Sequence, residues 1–372
     1  MNKMIKNVYD YYKLYPMAIL CVGDIHIKPT NTHLVDLLEQ QILNYIVQHQ
    51  VSLVILLGDI LDTFERLHTQ TLNRAYQLVN RIRKWCKIAI LVGNHDYINN
   101  QQFLTDQHWM NALKDWNNVC IVDKVIEEQV MNQRILLVPY VPPGRFEEAL
   151  QTVQNWQNVS FIFAHQEFKG CKMGAIVSSE GDEWNLDYPP VVSGHIHDYQ
   201  KPQENIYYIG ASIQNSFGDQ TNPRLLLIEM NIEPLFKELE LCLPKKKTIY
   251  TDLDQLPVDQ IQQNLETADT DMVRVVIRCD YEQFKVFTKT RQYEELVQHS
   301  KCKIVHKPPP KEEEKQKTED ELVNHPIQLN MNQPFEVLLY DKVLASKDEY
   351  IYSVYHEVVH DTSISPEDIL II

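Results

Sequence analysis

The chain has 372 residues, more than the roughly 100–200 of an ordinary domain, so two domains or one large domain with appendages are expected. Apolar residues at 44% and charged residues at 23% match globular usage and exclude a mainly disordered or fibrous chain. The net charge of −16 excludes simple electrostatic wrapping of nucleic acid, although bound cations can supply positive charge at a phosphate.

No apolar stretch reaches the roughly 18 residues of a membrane span. Residues 1–16 carry Lys3, Lys6 and Lys13 without the apolar core of a leader. The seven cysteines are scattered singly, without C-x-x-C spacing. These features predict a reduced cytoplasmic protein with no membrane association. The Gln-, Asn- and Ile-rich composition suggests a bacterial or phage-infected cell.

In chain order, apolar runs over Met17–Val22, Leu53–Leu57, Ile88–Val92, Ile135–Val138, Phe161–Ala164 and Leu225–Ile228 predict strands buried on both faces, and closer-spaced later strands such as Ile206–Ile209 predict some antiparallel pairing. Leu34, Leu38, Ile42 and Ile46 recur at helical spacing, as do Leu72, Ala75, Tyr76, Val79 and Ile82. Strands alternating with helices indicate a layered α/β domain over residues 17–243. A break follows at Pro244–Lys247. A smaller α/β unit within residues 244–307 then has strands at Met272–Arg278 and Lys303–His306 and a helix over Glu282–His299. Residues 308–334 form a Pro- and charge-rich linker. Residues 335–372 contain two helices, the second opened by a capping box at Ser346–Glu349 and striped by Tyr350, Ile351, Val354, Tyr355 and Val358.

Five short motifs each follow an apolar strand: Gly23-Asp24-Ile25-His26, Gly58-Asp59, Gly93-Asn94-His95-Asp96, Ala164-His165 and Gly194-His195-Ile196-His197. Ligands of α/β sheets bind at the carboxyl ends of strands, so motifs far apart in the chain can converge. Asp24, Asp59 and Asn94 stand at equal intervals, each about one βαβ unit long. Asp, Asn and His offer oxygen and imidazole donors without thiolate, the set of a two-metal site. A carboxylate such as Asp59 can bridge two cations.

This order of motifs resembles the calcineurin-like metallophosphoesterase superfamily. Ala164-His165-Gln166, Tyr208-Ile-Gly-Ala-Ser212 and Ser216-Phe-Gly-Asp219 resemble segments of its SbcD-like DNA repair nucleases. Asp62 is followed by Thr63, where protein Ser/Thr phosphatases carry Arg. The resemblance implies a four-layered α/β sandwich with a small α/β capping domain and a C-terminal helical segment. It implies that Asp24, His26, Asp59 and His197 hold one divalent ion and that Asp59, Asn94, His165 and His195 hold the other, manganese being the family's usual ion. His95 is then the acid that protonates the leaving oxygen, and Asp96 a second catalytic candidate that either orients its imidazole or caps the helix that follows.

The activity so implied is a metal-dependent DNA exonuclease and endonuclease acting at DNA ends in recombination and repair. Its partner would be an SbcC-type ABC ATPase with a long coiled coil, the chain forming a homodimer within a heterotetramer and docking through residues 335–372. Arg274, Arg278, Lys285 and Lys289 are the candidate DNA-phosphate contacts. A standalone nucleotide or cyclic-nucleotide phosphodiesterase is the alternative enzyme, though it needs neither a cap nor a tail. An inactive metal-binding scaffold is the third reading, and it has no use for His95.

Overall fold

The computed structural model of the chain describes residues 17–309, apart from residues 65, 131–132, 175, 220–221 and 231–234. The expected linker and helical tail lie outside the described residues, except for Pro308 and Pro309.

The apolar runs fold as strands because each has two buried faces to satisfy. In chain order the first strands are β1 (Met17–Val22), β2 (Val51–Leu56), β3 (Lys87–Leu91), β4 (Val119–Val122), β5 (Ile126–Val130), β6 (Gln133–Leu137) and β7 (Phe161–His165). A short hairpin of β8 (Lys172–Met173) and β9 (Ile176–Val177) precedes β10 (Val191–Gly194), β11 (Gln200–Gln203), β12 (Ile206–Tyr208), β13 (Arg224–Met230) and β14 (Leu235–Glu240). The helices between them are α1 (Thr32–Gln48), α2 (Thr69–Ile82) and the single turn α3 (Phe146–Leu150).

Two six-stranded sheets result, ordered β14-β13-β1-β2-β3-β4 and β11-β12-β10-β7-β6-β5. In the first, β1 to β4 run parallel; in the second, β6, β7, β10 and β12 do. The two-residue alternation of strand side chains then builds the layers. Ala18, Leu20 and Val22 pack with Leu34, Leu38 and Ile42 of α1 and Ala75, Leu78 and Val79 of α2. Ile19 and Cys21 point the other way, into a core shared with Leu137, Phe163 and Val192 of the second sheet. Beyond that sheet, Ile162 and Ala164 pack under Phe146, Trp156, Phe168 and Trp184. The fold is the expected four-layered α/β sandwich, and its fourth layer is a cluster of aromatic side chains on α3 and loops.

The smaller unit differs from expectation in two ways. Lys245–Lys247 is no break: it opens β15 (Lys245–Asp252), which pairs in parallel with β16 (Thr270–Arg278), and β16 pairs with β17 (Cys302–Lys307). The expected helix over 282–299 is two helices, α5 (Tyr281–Phe287) and α6 (Arg291–Gln298), and α4 (Val258–Glu266) precedes them. Thr290 causes the interruption, because its hydroxyl oxygen accepts the Tyr293 amide and caps the new helix. Ile261, Val273, Val275, Ile277 and Leu296 form a separate small core. Lys246 ties it to the main domain, Nζ donating to the Gln214 carbonyl (2.7 Å) while Asp271 of β16 pairs with the same ammonium (3.1 Å).

Candidate metal centre

Because β1, β2 and β3 are parallel in one sheet and β7 and β10 in the other, all five motifs leave their strands at carboxyl ends, and cross-sheet bonds bring them together. His165 Nδ1 donates to the Leu57 carbonyl (2.7 Å), and the His195 amide donates to the Asp24 carboxylate (3.0 and 3.1 Å). The motif glycines permit this nesting. A Cβ on Gly93 would lie 2.2 Å from Asp59 Oδ1, and one on Gly58, whose φ is +104°, would lie 2.4 Å from His165 Nδ1. Three of the expected ligands, His26, Asp59 and His195, take positive φ (47°, 51° and 77°). Such strain persists where the surrounding structure holds it, commonly at functional sites.

The donor atoms fall into three overlapping groups, each with its ligand atoms within 4.8 Å of one another: Asp24, His26 and His197; His26, Asp59 and His95; Asp59, His165 and His195. Asn94 joins the last, its Oδ1 lying 2.9 Å from His165 Nε2 and 3.0 Å from His195 Nδ1. All seven residues expected to bind metal therefore meet at one place, with Asp59 common to two groups.

The donor chemistry fits divalent cations. The Leu57 carbonyl can only accept, so His165 Nδ1 carries the proton and Nε2 presents a lone pair in the neutral ring. That lone pair faces the Asn94 oxygen and Asp59 Oδ2 (3.4 Å), an arrangement that calls for a positive charge between them. Burial disfavours a charged His165, yet Asp59 and Asp24 outweigh it and lift the imidazole to about 9. His26 Nε2 and His197 Nε2 likewise converge at 3.0 Å.

His95 sits at the edge of this cluster. Its amide donates to Asp59 Oδ1 (2.9 Å) and its Nδ1 to the Asp62 carbonyl (2.8 Å). The Phe64 ring stacks on the imidazole with centroids 4.7 Å apart. Asp96 does not orient that ring as expected. Its buried carboxylate accepts the amides of Ile60, Leu61 and Gly93 and the Trp109 indole N–H, locking the second motif's loop to the third's. The Asp62 carbonyl is the orienting group.

The four cationic residues expected to contact DNA are not part of the cluster. Arg274 donates to Thr248 Oγ1 (3.1 Å) and covers the Phe217 ring at 4.6 Å, which places it against the Ser216–Asp219 loop. Arg278 lies 6.0 Å over Tyr250, and Lys285 and Lys289 are exposed. Sequence reasoning gave no role in the site to Asp62, Phe64 or Glu167. Asp62 stands three residues after Asp59 of the second motif, but the bond it makes to His95 uses a backbone atom that every residue has. Tyr208 turns out to be a clamp: it is fully buried, donating to the Gln166 carbonyl and accepting the Phe168 amide.

A family model described as calcineurin-like phosphoesterase matches residues 17–226, the span that contains every residue of this cluster. The chain belongs to the calcineurin-like phosphoesterase family. Its relatives in this family include "Putative phosphoesterase 244L" of Invertebrate iridescent virus 6, 44% identical over 280 residues covering 73% of this chain and 98% of the relative. "Putative phosphoesterase 078R" of Invertebrate iridescent virus 3 is 43% identical over 288 residues, 76% of this chain and 82% of the relative. Among solved structures, the Escherichia coli phosphoesterase YfcE aligns over 60% of this chain and all of its own, at 12% identity and a TM-score of 0.30. A nuclease of Pseudomonas putida aligns over 56% of this chain and 84% of its own, at 18% identity and a TM-score of 0.28. As a member of this phosphoesterase family the chain is a hydrolase of phosphate esters. No helix among the described residues is long and apolar enough to cross a membrane.

Proposed function

We propose that this phosphoesterase is a two-metal DNA nuclease that hydrolyses phosphodiester bonds at DNA ends. The observation that carries the reading is His95: one ring nitrogen is committed to the Asp62 carbonyl, and the ring sits against the Asp59 group, with Nε2 left for a leaving oxygen. Asp24, His26, Asp59 and His197 would hold one divalent ion and Asp59, Asn94, His165 and His195 the second, with manganese the first ion to try. Such a pair supplies charge neutralisation of the diester and activation of water. The protein's own part is to hold the ions at fixed spacing and to deliver a proton from His95 Nε2 to the departing 3′ or 5′ oxygen. Beside His195 and His197 lies a cleft of about 380 Å³, lined also by Met173 and Ser216. Arg274, Arg278, Lys285 and Lys289 of the small sheet and its helices would then meet the flanking phosphates.

The test is incubation of the purified chain with end-labelled linear duplex, a DNA hairpin and bis-p-nitrophenyl phosphate, with manganese or magnesium. Cleavage of DNA and of the small diester, both stopped by chelation, is the expected result. Hydrolysis of small or cyclic nucleotide diesters with DNA left intact would instead make the chain a standalone phosphodiesterase.

In this reading residues 335–360, whose apolar spacing in the sequence is that of amphipathic helices, would dock on an SbcC-type ATPase, two copies of each chain making a heterotetramer. Truncation after Pro310 should leave metal-dependent cleavage of short DNA intact and abolish co-purification with the co-expressed ATPase. Continued co-purification would place the partner's dock elsewhere.

A further inference from the structure

A metal-binding imidazole offers one nitrogen to the ion, and the group that holds its other nitrogen sets the ring's direction and basicity. His195 turns Nδ1 inward, 3.0 Å from Asn94 Oδ1 and 3.3 Å from His165 Nε2. Its outer nitrogen, Nε2, lies 3.8 Å from Glu167 Oε2. His197 is turned the opposite way. Its Nε2 faces His26 inside the cluster, and its outer Nδ1 lies 3.8 Å from Asp219 Oδ2.

Both carboxylates are fixed in place by serine. Ser178 Oγ donates to Glu167 Oε1, and Ser216 Oγ donates to Asp219 Oδ1. The amides of Asn215 and Ser216 also donate to Asp219 Oδ2, each at 2.8 Å. Among the described residues neither acid is paired with Lys or Arg. Asp62, the acid facing His26 Nδ1 at 3.3 Å, differs in this respect, because Lys28 neutralises it at 2.9 Å. The negative charge of Glu167 and of Asp219 is thus directed, among the described residues, at an imidazole and at nothing else of opposite sign.

We propose that Glu167 and Asp219 are a matched pair of positioning residues, one for each metal. Glu167 holds His195 for the site that includes Asn94 and His165; Asp219 holds His197 for the site that includes Asp24 and His26. This rests on the two-metal reading above. Each acid accepts the outer N–H of its histidine when the ion is bound, which fixes the tautomer and makes the inner nitrogen a stronger donor. The two histidines are separated by one residue, so opposite ring directions let a single loop serve both ions.

The test is titration of the metal-free full chain with Mn²⁺ alone, free Mn²⁺ being counted by its paramagnetic resonance signal. The wild type should take up two ions. Glu167→Gln and Asp219→Asn should each weaken one of the two sites by about 10–100-fold and leave the other unchanged, and the double variant should weaken both. Asp219→Asn keeps an oxygen for the Asn215 and Ser216 amides, so the loop retains its closure. Ser178→Ala and Ser216→Ala, which loosen the acids and also release the Gly181 and Gly218 amides that the two hydroxyls accept, should show the same site preference with smaller losses. Two tight sites in Glu167→Gln and Asp219→Asn would overturn the proposal, as would lowered thermal stability of the metal-free variants with affinity unchanged. Fewer than two ions on the wild type would overturn the two-metal reading itself, and this proposal with it.

Discussion

Asp59→Asn is expected to abolish turnover while leaving the fold intact. The two halves of that expectation rest on different atoms. Asp59 Oδ1 accepts the His95 amide, a role that the amide oxygen of Asn performs equally well. The backbone at this position has φ +51°, and Asn is among the few residues that tolerate it. What Asn cannot supply is the charge. Oδ2 stands 3.4 Å from His165 Nε2 and 3.6 Å from His26 Nε2, between the two groups of donors. Burial opposes ionisation of Asp59, yet His165, His26 and His95 hold its carboxyl below the usual carboxylate range. It is therefore present as the anion that the two cations of the proposed centre would need. Elemental analysis should show fewer than two ions per chain in the variant, and hydrolysis of bis-p-nitrophenyl phosphate should fall to background. Wild-type turnover with unchanged metal content would remove the shared carboxylate from the argument.

Much of this centre is legible in the sequence because each motif combines an apolar run with a metal-type donor, in four of the five after a glycine. The run identifies a buried strand, and the donor's place after it identifies the carboxyl end. β1 is legible throughout, since both its faces are buried and all six residues are apolar. β14 is not, because it is an edge strand carrying Lys237, Glu238 and Glu240 toward water. β15 is obscured in the same way by Lys245–Lys247. Lys246 has partners in the Gln214 carbonyl and Asp271, and distant pairings of that kind leave no local pattern. Adjacency misleads at Asp96. The neighbour of His95 in sequence is the natural group to expect beside its ring, but the tight turn sends the two side chains apart, one to the cluster and the other to the amides of Ile60, Leu61 and Gly93.

His95→Ala separates proton transfer from metal binding. The imidazole is held by the Asp62 carbonyl at Nδ1 and by the stacked Phe64 ring, neither an expected metal ligand, and it meets the His26 ring edge-on with centroids 5.0 Å apart. A carbonyl cannot donate, so Nδ1 carries a proton in every state of the ring, and the proton that comes and goes is on Nε2. That assigns the acid to a single atom. Removing the ring should leave two ions per chain, because Asp24, His26, Asp59, Asn94, His165, His195 and His197 all remain. The rate on DNA should fall by about 10²–10⁴-fold, the usual contribution of a positioned general acid. The size of the fall should also depend on the leaving group. A deoxyribose oxygen departs poorly without a proton, whereas p-nitrophenolate is stable as the anion and needs little help. The variant should therefore lose much less activity on bis-p-nitrophenyl phosphate than on duplex ends. Equal losses on the two substrates would assign His95 to substrate binding. Loss of an ion would make it a ligand, which its nearness to His26 and Asp59 also permits. Only two retained ions with a leaving-group-dependent loss identify His95 as the acid.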